Sequence, residues 1–254
     1  MIEKKYPDLW ERVHKLGRTS SILHPVNDSL TFARTSEYLK KLYDVSEDII
    51  VIVPYEMEWK SVKLLPTNVT VFRLYEEDNI QYVFTCLHNS INKYKYPMKN
   101  MISPTANIHE SAIVGVHGNT YCSAPDKSKI NLKHMGNVVI EDDVDVEALC
   151  IVHRSTMAST VIKKGAKVCV KVNVGHNCYV GERTILAPGV MLGGETKIGK
   201  DCYIWQGVIT RSKINICDNV IIGAGSLVMH DIEKSGIYFG SPAKYVKPYD
   251  PTAR

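Results

Sequence analysis

From residue 162 to residue 228 one apolar side chain returns at every sixth position: Ile162, Val168, Val174, Val180, Leu186, Leu192, Ile198, Ile204, Thr210, Ile216, Ile222 and Val228. The only one that is not Ile, Leu or Val is Thr210, which is β-branched. Four residues after each of the first eleven stand Ala166, Val172, Cys178, Thr184, Val190, Thr196, Cys202, Val208, Ile214, Val220 and Ser226, none of them charged. A helix repeats every 3.6 residues and a half-buried strand every two, so neither generates a period of six. A fixed short period marks a solenoid, whose units are too small to bury an apolar face alone and stack on one another.

Six residues suit one flat side of a triangular coil. An extended stretch points alternate side chains inward, and a turn then takes the chain round the corner. Three sides make an eighteen-residue coil, stacked on the next at about 4.8 Å, the strand spacing. Gly175, Gly181, Gly193, Gly199 and Gly223 follow the aliphatic position and are expected at corners that need unusual backbone angles. The same pattern stands earlier at Ile140, Val146 and Val152, then slips by four residues between Ala158 and Ile162, which predicts a small bulge or loop. A β-sandwich of short strands would not keep so strict a spacing. Parallel crossovers are ordinarily right-handed, and spacing alone gives no reason to depart from that rule.

Residues 1–98 lack the six-residue period. Tyr6 to Leu16 predicts a helix closed by Gly17, and Thr35-Ser36 a capped helix through Tyr43. Ile49 to Pro54 and Val69 to Leu74 predict strands, and Asp78 to Tyr94 a third helix. Strands alternating with helices imply a small α/β domain, with Pro97 and Pro104 at its junction with the solenoid. The expected division is 1–98, a small α/β domain; 99–245, the β-helix; and 246–254, a short tail. The β-helix opens at Ile108 to Val114 and is interrupted by residues 115–137, which contain Tyr121, Pro125, Lys129, Lys133 and His134. A polar excursion from a regular coil is usually functional.

At 254 residues, 44% of them hydrophobic, and a net charge of +4, the chain reads as a soluble globular protein of one or two domains. Its small, dispersed charge argues against nucleic acid. No apolar run approaches the ~20 residues of a membrane span, and no signal-peptide core opens the chain. Seven cysteines occur without a CxxC pair or zinc spacing. Cys150, Cys178 and Cys202 fall on inward positions, as small reduced core residues, which points to the cytoplasm.

The repeats resemble the hexapeptide acyltransferases, a resemblance that implies a left-handed parallel β-helix and a homotrimer. Val172-Asn173-Val174-Gly175-His176-Asn177-Cys178-Tyr179-Val180-Gly181 resembles the catalytic-histidine coil of nucleotide-sugar N-acyltransferases. The wider chain is similar to the UDP-3-O-acyl-glucosamine N-acyltransferases of lipid A synthesis. Leu186-Ala187-Pro188-Gly189-Val190 up to Gly194 looks closer to the N-acetyltransferases that modify UDP-4-amino sugars. The resemblance is strong from residue 102 to 245 and loose before that. Ser29-Leu30-Thr31-Phe32 and then Tyr38 resemble a uridine-binding segment, in which two aromatic faces sandwich the base; both rings also suit the core of the small domain. The excursion resembles an insertion loop that approaches the substrate. Fewer coils precede it than in the lipid A enzymes, which argues against a long groove for a fatty acyl chain.

The resemblance makes His176 the general base. Forming an amide requires removal of a proton as a sugar amine attacks a thioester, and an imidazole with an ordinary pKa of ~6.5 suits that at neutral pH. The tetrahedral oxyanion then needs a donor, and the backbone N–H of Gly194, eighteen residues on, is the candidate. Asn177, counted with Phe32 and Tyr38 among the substrate-binding residues, stands where the UDP-4-amino-sugar enzymes tend to carry an acidic residue. Lys213 aligns with a second histidine of the lipid A enzymes and is left out of the catalytic set. His153 and Arg154 read equally as substrate contacts or solvated edge residues. Gly236 to Lys244 looks like the family's closing element near the acyl donor; Gly240 and Lys244 are the candidate coenzyme A contacts, with Lys244 also readable as a solvated lysine.

The ten residues after Lys244 are too few for the C-terminal helices that engage acyl carrier protein in the lipid A family, which favours acetyl-CoA. The reading is therefore an acetyl-CoA-dependent N-acetyltransferase acting on a UDP-linked amino sugar, without a metal. The alternatives are a lipid-A-type transferase using a hydroxyacyl carrier protein and a non-catalytic nucleotide-sugar-binding scaffold. A carbonic-anhydrase-like site is disfavoured, since three suitably placed metal histidines are not apparent.

Overall fold

The computed structural model describes residues 1–22, 25–93, 95–250 and 252, without the side chain of residue 59. The chain packs as two compact units, residues 1–96 with 119–133 and residues 97–118 with 134–254.

In the first unit, strands Ser29–Phe32, Ile49–Val53 and Val69–Arg73 form a parallel sheet in chain order. The middle strand, Ile-Ile-Val-Ile-Val, is buried throughout, as a parallel strand covered on both faces must be. Helix Pro7–Leu16 ends at Gly17, whose φ of 70° is a left-handed cap that costs a residue without Cβ nothing. Thr35 caps Ser36–Leu39 by accepting the Tyr38 N–H, and a 3-10 turn, Lys40–Leu42, completes the run to Tyr43. Helix Ile80–Ile91 starts later than the expected Asp78 because the Asn79 side chain accepts the N–H groups of Gln81 and Tyr82. Its expected end, Tyr94, lies outside the described residues. The short helices Ile2–Lys5 and Trp59–Val62 are too brief to leave a periodic signal.

The excursion is narrower than 115–137, because Ile113–Val116 and Asn137–Ile140 are β-helix strands. Residues 119–133 pack with the first unit as a hairpin of Tyr121–Ser123 and Lys129–Asn131. Its return arm is latched to helix Ile80–Ile91. His88 Nε2 donates to the Lys133 carbonyl at 2.8 Å, and Asn89 pairs with the Asn131 carbonyl at 2.8 Å and the Lys133 N–H at 2.9 Å.

The second unit is a parallel β-helix of three sheets. One runs from Asn107–Ile108 to Gly236–Phe239, a second from Ile113–Val116 to Leu227–Val228, and the third from Met101–Ile102 to Asn215–Ile216. Val174 lies beside Leu192, Val180 beside Ile198 and Leu186 beside Ile204, the eighteen-residue register of a triangular coil. The slip is also present: Ile140, Val146 and Val152 pair with Ile162, Val168 and Val174, 22 residues on. The four extra residues fall between strands Ile151–His153 and Ser159–Ile162. The last coil is closed by Lys244–Lys247, antiparallel to Gly236–Phe239, so the strand continues past residue 245. Of the expected tail, residues 251, 253 and 254 lie outside the described residues.

Every hexad position from Ile162 to Val228 is buried, and so is each partner four residues later. Burying an aliphatic side chain contributes roughly 1.5–3 kcal/mol, so the stacked column is the main source of the unit's stability. Inward hydroxyls are satisfied locally: Thr196 Oγ1 donates to the Gly193 carbonyl at 2.7 Å, and Thr210 Oγ1 accepts the Gly193 N–H at 3.0 Å. Cys150, Cys178 and Cys202 point inward, and burial pushes the thiols of Cys178 and Cys202 up to about 12.

The corners correct one expectation. Gly175, Gly181, Gly193, Gly199 and Gly223 do not take positive φ; the left-handed residues stand two places later, at Asn177, Arg183, Glu195, Asp201 and Gly225. The glycines are required by the close approach of the next coil instead. A Cβ on Gly175 would stand 2.6 Å from the Leu192 carbonyl oxygen, and one on Gly193 would stand 2.6 Å from the Ser212 nitrogen.

Candidate active site

His176 stands at the corner between strands Asn173–Val174 and Tyr179–Val180. The next residue, Asn177, turns the corner with a φ of 61°, a left-handed conformation that asparagine tolerates better than most residues. That turn brings its side chain back alongside the imidazole. Asn177 Oδ1 lies 2.8 Å from His176 Nδ1 and accepts the Thr156 N–H at 3.1 Å, while its Nδ2 donates to Thr156 Oγ1 at 3.2 Å. A backbone N–H can only donate, so Oδ1 is an acceptor and Nδ1 of the neutral His176 carries the proton. The basic lone pair is then on Nε2. Asn177, expected at the substrate, has its side-chain oxygen on His176 and Thr156 and its amide on Thr156.

Gly194 lies one coil along. A Cβ on it would stand 2.5 Å from His176 Nε2 and 2.7 Å from Cε1, so only glycine leaves room for this ring position. At the same corner position in other coils the N–H is taken by a carboxylate: Lys164 by Glu141 at 3.1 Å, Val170 by Glu147 at 2.8 Å and Lys200 by Asp218 at 2.9 Å. Among the described residues no acceptor takes the Gly194 N–H. The His176 ring and the Gly194 backbone therefore sit side by side. The position two coils from His176 is Ser212; Lys213 stacks instead in the Asn177 column, beside Glu195 at 4.0 Å.

His134 packs on His176, and His117 and His153 lie beyond it. His134 is 1% exposed, with its ring centroid 5.0 Å from that of His176 and at 79° to it. His117 lies 4.7 Å from His134. His153 is within 3.2 Å of the His117 carbonyl and 3.1 Å of Asn173 Oδ1. Burial, with the neighbouring imidazoles adding to it, pushes His134 down to about 3. Among the described residues these rings do not make a group able to hold a metal ion. Arg154 is committed to the backbone: Nε donates to the Gly115 carbonyl at 2.6 Å and Nη1 to the Gly136 carbonyl at 3.3 Å. His117 and Thr156 escaped the sequence reading because the two excursions, not the hexad, bring them to the corner. An additional histidine within an excursion was the one available signal.

The remaining expected contacts are placed as follows. Phe32 ends its strand, half-buried, 4.5 Å from the Phe84 ring and with the Arg34 guanidinium 5.9 Å above it. One face therefore belongs to the core. Tyr38 is exposed on its short helix. Gly240 has a φ of 104° in the connection to the closing strand, its N–H donating to Ser226 Oγ at 3.1 Å, and Lys244 is exposed on that strand.

Coil and register together define a left-handed parallel β-helix of hexapeptide repeats. The solved UDP-N-acetylglucosamine acyltransferase of Francisella novicida has the same fold, with a TM-score of 0.52 over 91% of this chain and 69% of that one, at 16% identity. In sequence the chain is 36% identical over 143 residues to the UDP-3-O-acylglucosamine N-acyltransferase of Hahella chejuensis, covering 56% of this chain and 40% of that protein. It is 38% identical over 120 residues to the enzyme of the same name from Helicobacter hepaticus, covering 47% and 37%. The match thus spans about two fifths of each curated relative. No protein-family model matches, and no helix among the described residues is long and apolar enough to cross a membrane.

Proposed function

We propose that the chain transfers an acyl group from a thioester to the amino group of a nucleotide-linked amino sugar. The observation that carries this is the pairing of His176, held at Nδ1 by Asn177, with the Gly194 N–H. The amine nitrogen attacks the thioester carbonyl carbon, and a C–N bond forms as His176 Nε2 takes the amine proton. The former carbonyl oxygen becomes an oxyanion, and the Gly194 N–H donates to it. As the C–O double bond re-forms, the C–S bond breaks and the thiolate leaves, taking a proton from the imidazolium.

The preferred reading is an acetyl-CoA donor and a UDP-linked amino sugar, with Phe32 and Tyr38 at the uracil and Gly240 and Lys244 near the coenzyme. The second reading is N-acylation of a UDP-3-O-acylglucosamine from an acyl carrier protein. It is favoured by the names of the curated relatives. A homotrimer fits an apolar ladder along one face of the β-helix. Ile113, Ile151, Asn173, Met191, Ile209 and Leu227 are register neighbours there, and Ile113, Met191 and Ile209 are about half exposed.

The test is a matrix of UDP- and dTDP-linked amino sugars and UDP-3-O-acylglucosamine against acetyl-CoA and hydroxyacyl carrier protein, followed by mass spectrometry. An acetylated product supports the first reading. A hydroxyacylated UDP-glucosamine derivative supports the second. No product from any pair leaves the scaffold reading.

A further inference from the structure

The slip in the hexad has a local structure of its own. Residues 155–158, between strands Ile151–His153 and Ser159–Ile162, close as a small loop in which the Ala158 N–H donates to Ser155 Oγ at 3.1 Å. The chain returning from the excursion pins this loop. The Met135 N–H donates to the Thr156 carbonyl at 2.8 Å, and the Asn137 N–H to the Ala158 carbonyl at 3.0 Å. Between them Gly136 lies so close that a Cβ on it would stand 2.2 Å from the Ala158 oxygen. Thr156 is held there with 8% of its surface exposed.

The loop changes the bonding of one corner residue. Lys171, Arg183 and Lys213 each donate their N–H to a corner carbonyl of the preceding coil, those of Ala148, Lys164 and Gly194. In the same ladder Asn177 would use Arg154, which directly precedes the loop. Its N–H donates to Thr160 Oγ1 instead, at 2.9 Å. Its side chain meets a donor and an acceptor on one residue: the Thr156 N–H donates to Oδ1 at 3.1 Å, and Nδ2 donates to Thr156 Oγ1 at 3.2 Å. A carboxamide is nearly symmetric in shape, but its two ends have opposite hydrogen-bonding roles. Turned over, it would set Nδ2 against the Thr156 N–H, donor against donor.

Resting on the reading of His176 as the base, we propose that the slip is a positioning device and Thr156 its positioning residue, holding the Asn177 amide with Oδ1 towards His176 Nδ1. A turned amide would donate to Nδ1. The neutral ring would then carry its proton on Nε2 and could not take one there. Without the Thr156 hydroxyl the amide is held at its oxygen end only.

Three variants of the full chain test this. Thr156→Val keeps the backbone N–H and the shape but removes the acceptor for Nδ2. Thr156→Ser keeps both groups. Asn177→Asp replaces the amide by a carboxylate, whose two oxygens are equivalent, so it has no wrong orientation. With kcat read on the plateau above the acid limb, Thr156→Val should lower it roughly 3- to 10-fold, the worth of one neutral hydrogen bond. Both KM values should hold, and Thr156→Ser should stay close to native. In the Asn177→Asp background Thr156→Val should be nearly silent, the non-additivity of residues that act through one contact. An equal fall in both backgrounds, or native turnover in Thr156→Val, overturns the proposal and leaves the slip as a fastener of the returning chain.

The Asn177 side-chain amide reports on the same hold without substrate. In ¹⁵N–¹H spectra, one of its two amide protons should be protected from exchange with water in the native chain and in Thr156→Ser. Thr156→Val should lose that protection, and unchanged protection overturns the proposal. Protection lost as expected, in a chain that forms no product from any substrate pair, supports the hold on Asn177 and sinks the acyl-transfer reading alone.

Discussion

The His176 imidazole lies so close over Gly194 that a Cβ there would reach within 2.5 Å of Nε2. Gly194 does not have a positive φ, so alanine costs the backbone little and acts through the ring alone. Gly194→Ala is expected to push the imidazole off its position and to crowd the N–H proposed as the oxyanion donor. Loss of one such donor costs about 10²–10³-fold in kcat, so a fall of that order with Tm nearly unchanged is the expected outcome. Steady-state kinetics beside a thermal melt checks it, and normal turnover would remove Gly194 from the site.

Phe32 offers one face, since the other packs on Phe84 at 4.5 Å. If that face stacks on uracil, Phe32→Ala should weaken UDP-sugar affinity by roughly 1–3 kcal/mol, the range for an aromatic on a base. The acyl-donor constant should stay put. Titration calorimetry with each ligand separates this from a packing role, in which Phe32→Ala lowers Tm and weakens both ligands alike.

The hexad was readable because each coil repeats one physical demand, a small or branched side chain facing inward, so the buried positions from Ile162 to Val228 follow from spacing alone. The corner chemistry was not readable in the same way. Glycine at Gly175 answers to the backbone of Leu192 in the next coil, a constraint that no local propensity records. The left-handed corner residues Asn177, Arg183, Glu195 and Asp201 share no side-chain type that would mark them. His176 and Gly194 were singled out through a motif, and the structure places them one coil apart at the same corner. Thr156 and His117 come to the site from excursions whose paths the period does not determine, and Arg154 was ambiguous until its carbonyl partners, Gly115 and Gly136, were placed.

Ile113, Met191 and Ile209 carry about half of their surface to solvent on one ladder. An apolar sheet face of this kind is usually covered by a partner, and three-fold packing would cover it in every copy. The paired change Met191→Asp and Ile209→Asp should convert a trimer to monomers by light scattering and reduce turnover with it. A native chain that is monomeric at full activity would rule the trimer out.

His88 is fully buried, and burial pushes its pKa down to about 4. In the unfolded chain a histidine titrates near ~6.5. Between those values the unfolded state binds the extra proton, so stability rises with pH across that window. The contribution is fully present above pH ~6.5 and is lost progressively as pH falls towards about 4, on the order of 3 kcal/mol at most. Urea midpoints measured from pH 7 to 4 should therefore fall, and His88→Gln should flatten the fall. An unchanged slope in His88→Gln would assign the acid sensitivity to other groups, with His134 the next candidate.

The enzyme reading depends most on the proton that leaves the attacking amine. His176 Nε2 is the basic nitrogen at the corner beside the Gly194 N–H, since Asn177 holds the proton on Nδ1. General-base catalysis is worth ~10²–10⁴-fold, so His176→Asn should reduce kcat by about that much. Both substrate affinities should be nearly intact, because the ring adds little to the buried column. The native kcat profile should fall on the acid side as the imidazole becomes charged, and that limb should vanish in His176→Asn. Asn177→Asp sharpens the test. Aspartate tolerates the left-handed turn and keeps an acceptor at Nδ1, but its charge favours the protonated ring. The acid limb should then begin at higher pH, because a protonated base cannot accept the amine proton. His176→Asn with near-native turnover and an unmoved profile would mean that the amine arrives already neutral and loses its proton elsewhere. The corner would then serve as a geometric template, and the Gly194 N–H would remain as its one catalytic contribution.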